Sequence, residues 1–198
     1  MVMLELRESF SDLAESYGLN LQELQNIVSV STKDHLSYTD GRMAASCEAL
    51  FRRYDDDCNG LVDFFEFLAS LGLVSAMSVE EKAMYIFDVF HFGKPGKLTV
   101  SEVTLALRTS VSGLAKISGL ERPVDTVIDQ VVLAAFEYGS EPQKKFDEQS
   151  TVIKEHFVQF FMSSPEVSSW VNFFADSDKV ETLHLRRVKD SKRQPVMV

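Results

Sequence analysis

Tyr54-Asp55-Asp56-Asp57-Cys58-Asn59-Gly60-Leu61-Val62-Asp63-Phe64-Phe65-Glu66-Phe67 is the stretch on which the fold turns. Counted from Asp55, side-chain oxygens stand at position 1 (Asp55), 3 (Asp57), 5 (Asn59), 9 (Asp63) and 12 (Glu66). A hard divalent cation such as calcium takes about six to eight oxygens, several of them anionic, and a loop with these offsets supplies them. Leu61 at position 7 adds its backbone carbonyl, and Glu66 is long enough to reach back with both oxygens. Gly60 at position 6 permits the left-handed turn that wraps the loop. Val62 at position 8 is β-branched and suited to pairing with a neighbouring loop. Helical spacing precedes Asp55 and follows Asp63, so the loop is expected between two helices.

Residues 55–66 therefore resemble an EF-hand loop, matched at every constrained position. The resemblance implies one calcium ion per chain, held by Asp55, Asp57, Asn59, the Leu61 carbonyl, Asp63 and Glu66. Mg2+ fits the same oxygens as a second candidate ion. The framework recurs without its ligands over 91–102, where Gly96, Leu98 and Glu102 fall at positions 6, 8 and 12. His91, Gly93, Pro95 and Thr99 stand where carboxylates would be needed, so this hand is expected to stay empty. A further remnant spans 145–156, with Lys145 at position 1, Val152 at position 8 and His156 at position 12. Its first and last positions oppose a cation. Helices expected at 3–17 and 21–30 would complete a fourth, equally degenerate hand.

The resemblance implies an all-α fold: two lobes of paired EF-hand helix–loop–helix units with short loop–loop β pairing. The N-terminal lobe is expected over 1–74 and the C-terminal lobe over 78–177, joined through a seam at 72–77. Further helices are expected at 40–54, 64–71, 79–90, 100–111, 123–138, 151–162 and 165–174, with loops at 31–38, 112–122 and 139–150. Ser78-Val79-Glu80-Glu81 has the hydroxyl-to-glutamate spacing of a capping box, and Pro123 suits a first helical turn. The order of features across Val62–Val103, and Phe157-Val158-Gln159-Phe160-Phe161 followed by Pro165, resembles the neuronal calcium sensor and calcineurin B-like branch of the superfamily.

Composition narrows the function. The 198 residues carry 30 Asp+Glu against 20 Lys+Arg, a net charge of −10, which disfavours nucleic acid as a partner. Position 2 is Val, not Gly, so no N-terminal lipid anchor is expected. Cys47 and Cys58 make no disulfide framework, and a cytoplasmic setting is expected. No nucleophile elbow, Walker loop or dinucleotide fingerprint occurs, so no enzyme is expected. Of the 15 Phe, those at helical spacing are expected in the core. Some would also line a groove for a partner protein's amphipathic helix, with Phe64, Phe67, Leu68, Leu71, Phe87 and Phe90 as candidates. The expected role is a calcium sensor whose response stays within the N-terminal lobe. The alternative is a structural adaptor in which calcium only staples the lobe and partner binding is constitutive. The segment 185–198, with Arg186, Arg187, Lys189, Lys192 and Arg193, reads as a flexible basic tail.

Overall fold

The computed structural model describes residues 18–32, 40–93, 96–138 and 146–172. The expected helix 3–17 and the basic tail 185–198 lie outside the described residues, as does Lys145. The elements run β1 (Gly18–Leu19), α1 (Leu21–Thr32), α2 (Asp40–Tyr54), β2 (Val62–Asp63), α3 (Phe64–Val74), α4 (Val79–Phe90), β3 (Lys97–Thr99), α5 (Val100–Ser118), α6 (Asp125–Tyr138), β4 (Thr151–Ile153), α7 (Lys154–Ser163) and α8 (Pro165–Asn172). The fold is all-α with short β pairing between loops, as the sequence indicates. Among the described residues no helix is long and apolar enough to cross a membrane.

The two β ladders fix how the loops sit. β1 pairs antiparallel with β2, placing Leu19 opposite Val62. β3 pairs antiparallel with β4, placing Leu98 opposite Val152. All four residues are buried, so each ladder is a hydrophobic contact as well as a hydrogen-bonded one. Leu19 thereby mirrors Val62, position 8 of the 55–66 loop, so Glu23 on α1 stands where Glu66, position 12, stands on α3.

Caps set several helix starts. Ser78 Oγ accepts from Glu81 N at 3.2 Å, and Ser78 N donates to Glu81 Oε2 at 2.8 Å, closing the capping box expected there. Thr99 and Glu102 repeat the device at α5. α6 begins at Asp125, two residues later than Pro123 suggests. The Val124 carbonyl accepts from Val127 and Ile128, so the proline stands just outside the first turn. Thr151–Ile153, expected as helix, is strand because its edge is taken up by β3.

The main departure is α5. It was expected to end near Val111, with Ser112-Gly113 opening a loop. It runs to Ser118 and stops at Gly119, whose φ of 65° is the left-handed C-cap. Gly113 does not break the helix; it marks where α5 crosses α3. A Cβ at Gly113 would lie 2.4 Å from the Glu66 carbonyl oxygen and 2.9 Å from Ser70 Cβ. α3 likewise extends into the expected seam, as far as Val74, and is capped at Ser75. The contact of α3 with α5 is the most extensive between helices, and one hydrophobic cluster runs from Leu19 to Val171 through both halves. Phe67, Phe87, Phe90 and Phe157 are among its fully buried members. Each buried Phe contributes on the order of 1.5–3 kcal/mol by removal of apolar surface from water.

Gly113→Ala tests the crossing. The added methyl gains helix propensity but must displace backbone, so the net change should be a loss of about 1–3 kcal/mol in stability, read by thermal unfolding. An unchanged or raised midpoint would mean that α3 and α5 do not approach this closely.

Candidate metal centre

The loop 55–66 is held in shape by its own side chains. Gly60 has φ 81°, the left-handed turn required at position 6, and its N–H points at both Asp55 carboxylate oxygens at 3.2 Å. Leu61 N donates to Asn59 Oδ1 at 2.7 Å, and Asn59 donates to Asp57 through its backbone N and its Nδ2. These bonds turn the oxygens at positions 1, 3 and 5 toward the loop interior. Cys58, at position 4, is also left-handed with φ 57° and is exposed. Asp63 caps α3, its Oδ1 accepting from Glu66 N at 2.8 Å. The donor set of carboxylates, one amide and one backbone carbonyl is chemically that of a calcium site. Among the described residues, no three acidic, histidine or cysteine side chains are yet gathered closely enough to hold an ion.

Glu66 is turned instead toward α5. Its Oε2 lies 2.9 Å from Lys116 Nζ, and its Oε1 accepts from Ser112 Oγ at 2.5 Å. The same ammonium reaches Asp56 Oδ1 at 3.1 Å and the Tyr54 carbonyl at 3.0 Å. Lys116 Nζ thus stands within 3.1 Å of three oxygens, one carbonyl that it hydrogen-bonds and two carboxylates that it pairs with. Side-chain exposure is 19% for Lys116 and 16% for Glu66, so the pair is largely withdrawn from water. Burial works against the charge of Lys116. The carboxylates of Glu66 and Asp56 outweigh it and push the ammonium above the usual lysine value. Arg53 Nη1 donates to the Ile117 carbonyl at 2.7 Å, tying the end of α2 to the same stretch of α5. Ser70 Oγ donates to the Glu66 carbonyl at 2.7 Å and also bonds the Tyr54 hydroxyl. Lys116 and Ser112 carry no signal in the loop motif, since they lie on a segment expected to be a loop.

The other position-12 glutamates have different partners. Glu23 accepts from Asn20 N at 2.8 Å, and Glu23 N donates back to Asn20 Oδ1 at 3.0 Å. Glu102 is buried and accepts from Phe92 N, Gly93 N, Thr99 N and Thr99 Oγ1, all within 3.1 Å. Burial acts against its charge, but those donors prevail and hold its carboxyl below the usual glutamate value. Protein donors thus meet the carboxylate of the 91–102 loop from within. His91 stacks on Phe87 with ring centroids 5.7 Å apart. In the last hand, Lys154 pairs with Asp88 at 2.6 Å.

Of the expected groove residues, Phe64, Phe67, Leu68, Phe87 and Phe90 are buried and Leu71 is partly buried. They pack the shared core and line no open groove in this conformation. Cys47 is a buried thiol whose pKa is raised by desolvation. An apolar cavity of about 320 Å³ opens on the far side of α5, lined by Val111, Leu114, Leu120, Pro123 and Trp170 among others.

No family model matches the chain. It is 40% identical over 63 residues to calcium-binding protein J of Dictyostelium discoideum, a match covering 32% of this chain and 32% of that protein. It is 26% identical over 140 residues to calaxin of Homo sapiens, covering 70% of this chain and 62% of that protein. The chain therefore spans less than two thirds of the length of either relative.

Glu102 in the 91–102 loop lends itself to a direct test. Glu102→Gln removes a charge that several donors stabilise and should cost about 1.5–3 kcal/mol. With its folded pKa depressed, Glu102 contributes stability that is present above the unfolded value of about 4.3 and lost as pH falls through the folded one. Urea unfolding at neutral and acidic pH reads both: the variant's deficit should be full at pH 7 and shrink in acid. A deficit independent of pH would show that packing, not the carboxylate charge, is what Glu102 supplies.

Proposed function

We propose that this chain is a calcium-binding regulatory protein that binds one ion at 55–66 through Asp55, Asp57, Asn59, the Leu61 carbonyl, Asp63 and Glu66. The observation that carries the reading is the loop itself. Its oxygens at positions 1, 3 and 5 are oriented by internal hydrogen bonds around a left-handed Gly60. Similarity to a protein named for calcium binding supports the choice of ion. Mg2+ remains a competitor at the same oxygens. The degenerate loops add no ion of their own: Glu102 is already met by protein donors, and Lys154 by Asp88. The protein acts by binding, not by catalysis, in the cytoplasm, and the neuronal calcium sensor and calcineurin B-like branch is its proposed affiliation.

Its partner is another protein, engaged through an amphipathic helix at apolar surface. Phe64, Phe67, Leu68, Leu71, Phe87 and Phe90 serve that surface only in a conformation that parts the helices now burying them. A response that reaches α5, and not the N-terminal lobe alone, is supported by one set of contacts. Glu66, the residue that links loop to exiting helix, is bound to α5 in the C-terminal half. The adaptor reading is favoured by one observation, the continuity of the core across both halves. A calcium-dependent rise in binding of an apolar dye supports the sensor, and a flat response the adaptor.

Calorimetry of calcium-free protein should give one site per chain. Asp55→Asn and Glu66→Gln should each weaken binding about tenfold or more, or about 1.4 kcal/mol. Two or more tight sites, or wild-type affinity in both variants, would sink this assignment.

A further inference from the structure

Glu66 cannot serve the loop with both oxygens while Ser112 and Lys116 hold one oxygen each. We propose that Lys116, with Ser112, is an internal competitor for the calcium site: a tethered cation that holds the position-12 carboxylate on α5 and makes Glu66 choose between α5 and the loop. This deepens the calcium-binding reading and rests on it. Three independent features carry it.

The first is completeness. Lys116 Nζ meets Glu66, Asp56 and the Tyr54 carbonyl, all belonging to the single hand that has a full donor set. An ammonium withdrawn from water within 3.1 Å of three oxygens is a built site rather than a passing surface pair.

The second is the capping chemistry of α3. The N-caps of α1 and α5 are neutral, Asn20 and Thr99, and the position-12 glutamate of each helix folds back to cap it. The N-cap of α3 is Asp63. A Glu66 folded back onto it would face a second carboxylate, a like-charge contact that a cation between them would relieve. Without that cation, Glu66 turns outward and Lys116 receives it.

The third is rigidity. Gly113, between Ser112 and Lys116, brings α5 against the Glu66 backbone, so both side chains are held at hydrogen-bond distance by the helix crossing. Mutual exclusion follows from linkage: whatever favours Glu66 on Lys116 lowers calcium affinity, and loading must free this part of α5.

The test compares full-length wild type with Lys116→Met and Ser112→Ala, titrated with calcium alone by calorimetry, with folding checked by circular dichroism. Lys116→Met should bind about tenfold more tightly, equivalent to about 1.4 kcal/mol. Ser112→Ala changes no charge, so a smaller gain there separates release of Glu66 from relief of general repulsion. Amide spectra supply a second readout: loading wild type should shift residues 110–118 of α5 as well as the loop. Wild type that binds with unchanged affinity in both variants and with a silent α5 would overturn the competitor while leaving calcium binding intact. Wild type that fails to bind, beside Lys116→Met that does, would support a competitor strong enough to mask the site. If neither binds, the calcium reading falls and the competitor falls with it.

Discussion

The carbonyl of Glu66 lies under Gly113, and from that approach much of the remaining arrangement follows. Two helices meet this closely only where one of them lacks a side chain. α3 and α5 are thereby fixed in register, and the polar groups on either side of the contact have nowhere else to go. Ser112 and Lys116, one turn apart on α5, fall on the Glu66 side chain; Arg53 and Tyr54 at the end of α2 fall on Ile117 and Lys116. The loop of one half is therefore bordered by a helix of the other. An ion pair this far out of water survives because each charge has further partners, a condition met by Ser112 for Glu66 and by Asp56 and Tyr54 for Lys116.

Much of this fold is legible in the sequence, and the illegible part has a definable cause. The loop 55–66, the capping box at Ser78 and the helix from Val79 to Phe90 depend on local chemistry, and local chemistry is what spacing reports. The strand at Thr151–Ile153 was missed because three residues of β structure exist only through their partner across the ladder. The end of α5 was missed for a related reason. Ser112-Gly113 carries the local signal of a break, and helix continues there because α3 packs across it. The candidate site divides the same way. The loop's own oxygens can be counted from Asp55, whereas Lys116 and Ser112 meet Glu66 only through the tertiary crossing.

The residues four positions beyond the paired centre of each ladder strand find different partners. At Glu102 the donors of Phe92, Gly93 and Thr99 fill the carboxylate's acceptor sites, and the loop closes on its own backbone. At Glu23 a neutral Asn20 takes the carboxylate. At His156 there is no carboxylate, and Lys154, two residues earlier, pairs with Asp88. Glu66 alone keeps an acidic N-cap, which denies it the self-satisfied state. The acidic N-cap that adds an oxygen to the 55–66 loop thus also leaves Glu66 in need of a cation.

α5 carries that dependence to the opposite face of the helix. Ser112, Gly113 and Lys116 lie on the side of α3, while Val111, Leu114, Ala115 and Ser118 line the apolar cavity bounded by Trp170 of α8. A packed interior does not absorb a shift at one face by compressing, so a displacement of α5 against α3 must alter the cavity's wall as well. The clamp on Glu66 and the shape of that cavity are then properties of one rigid element.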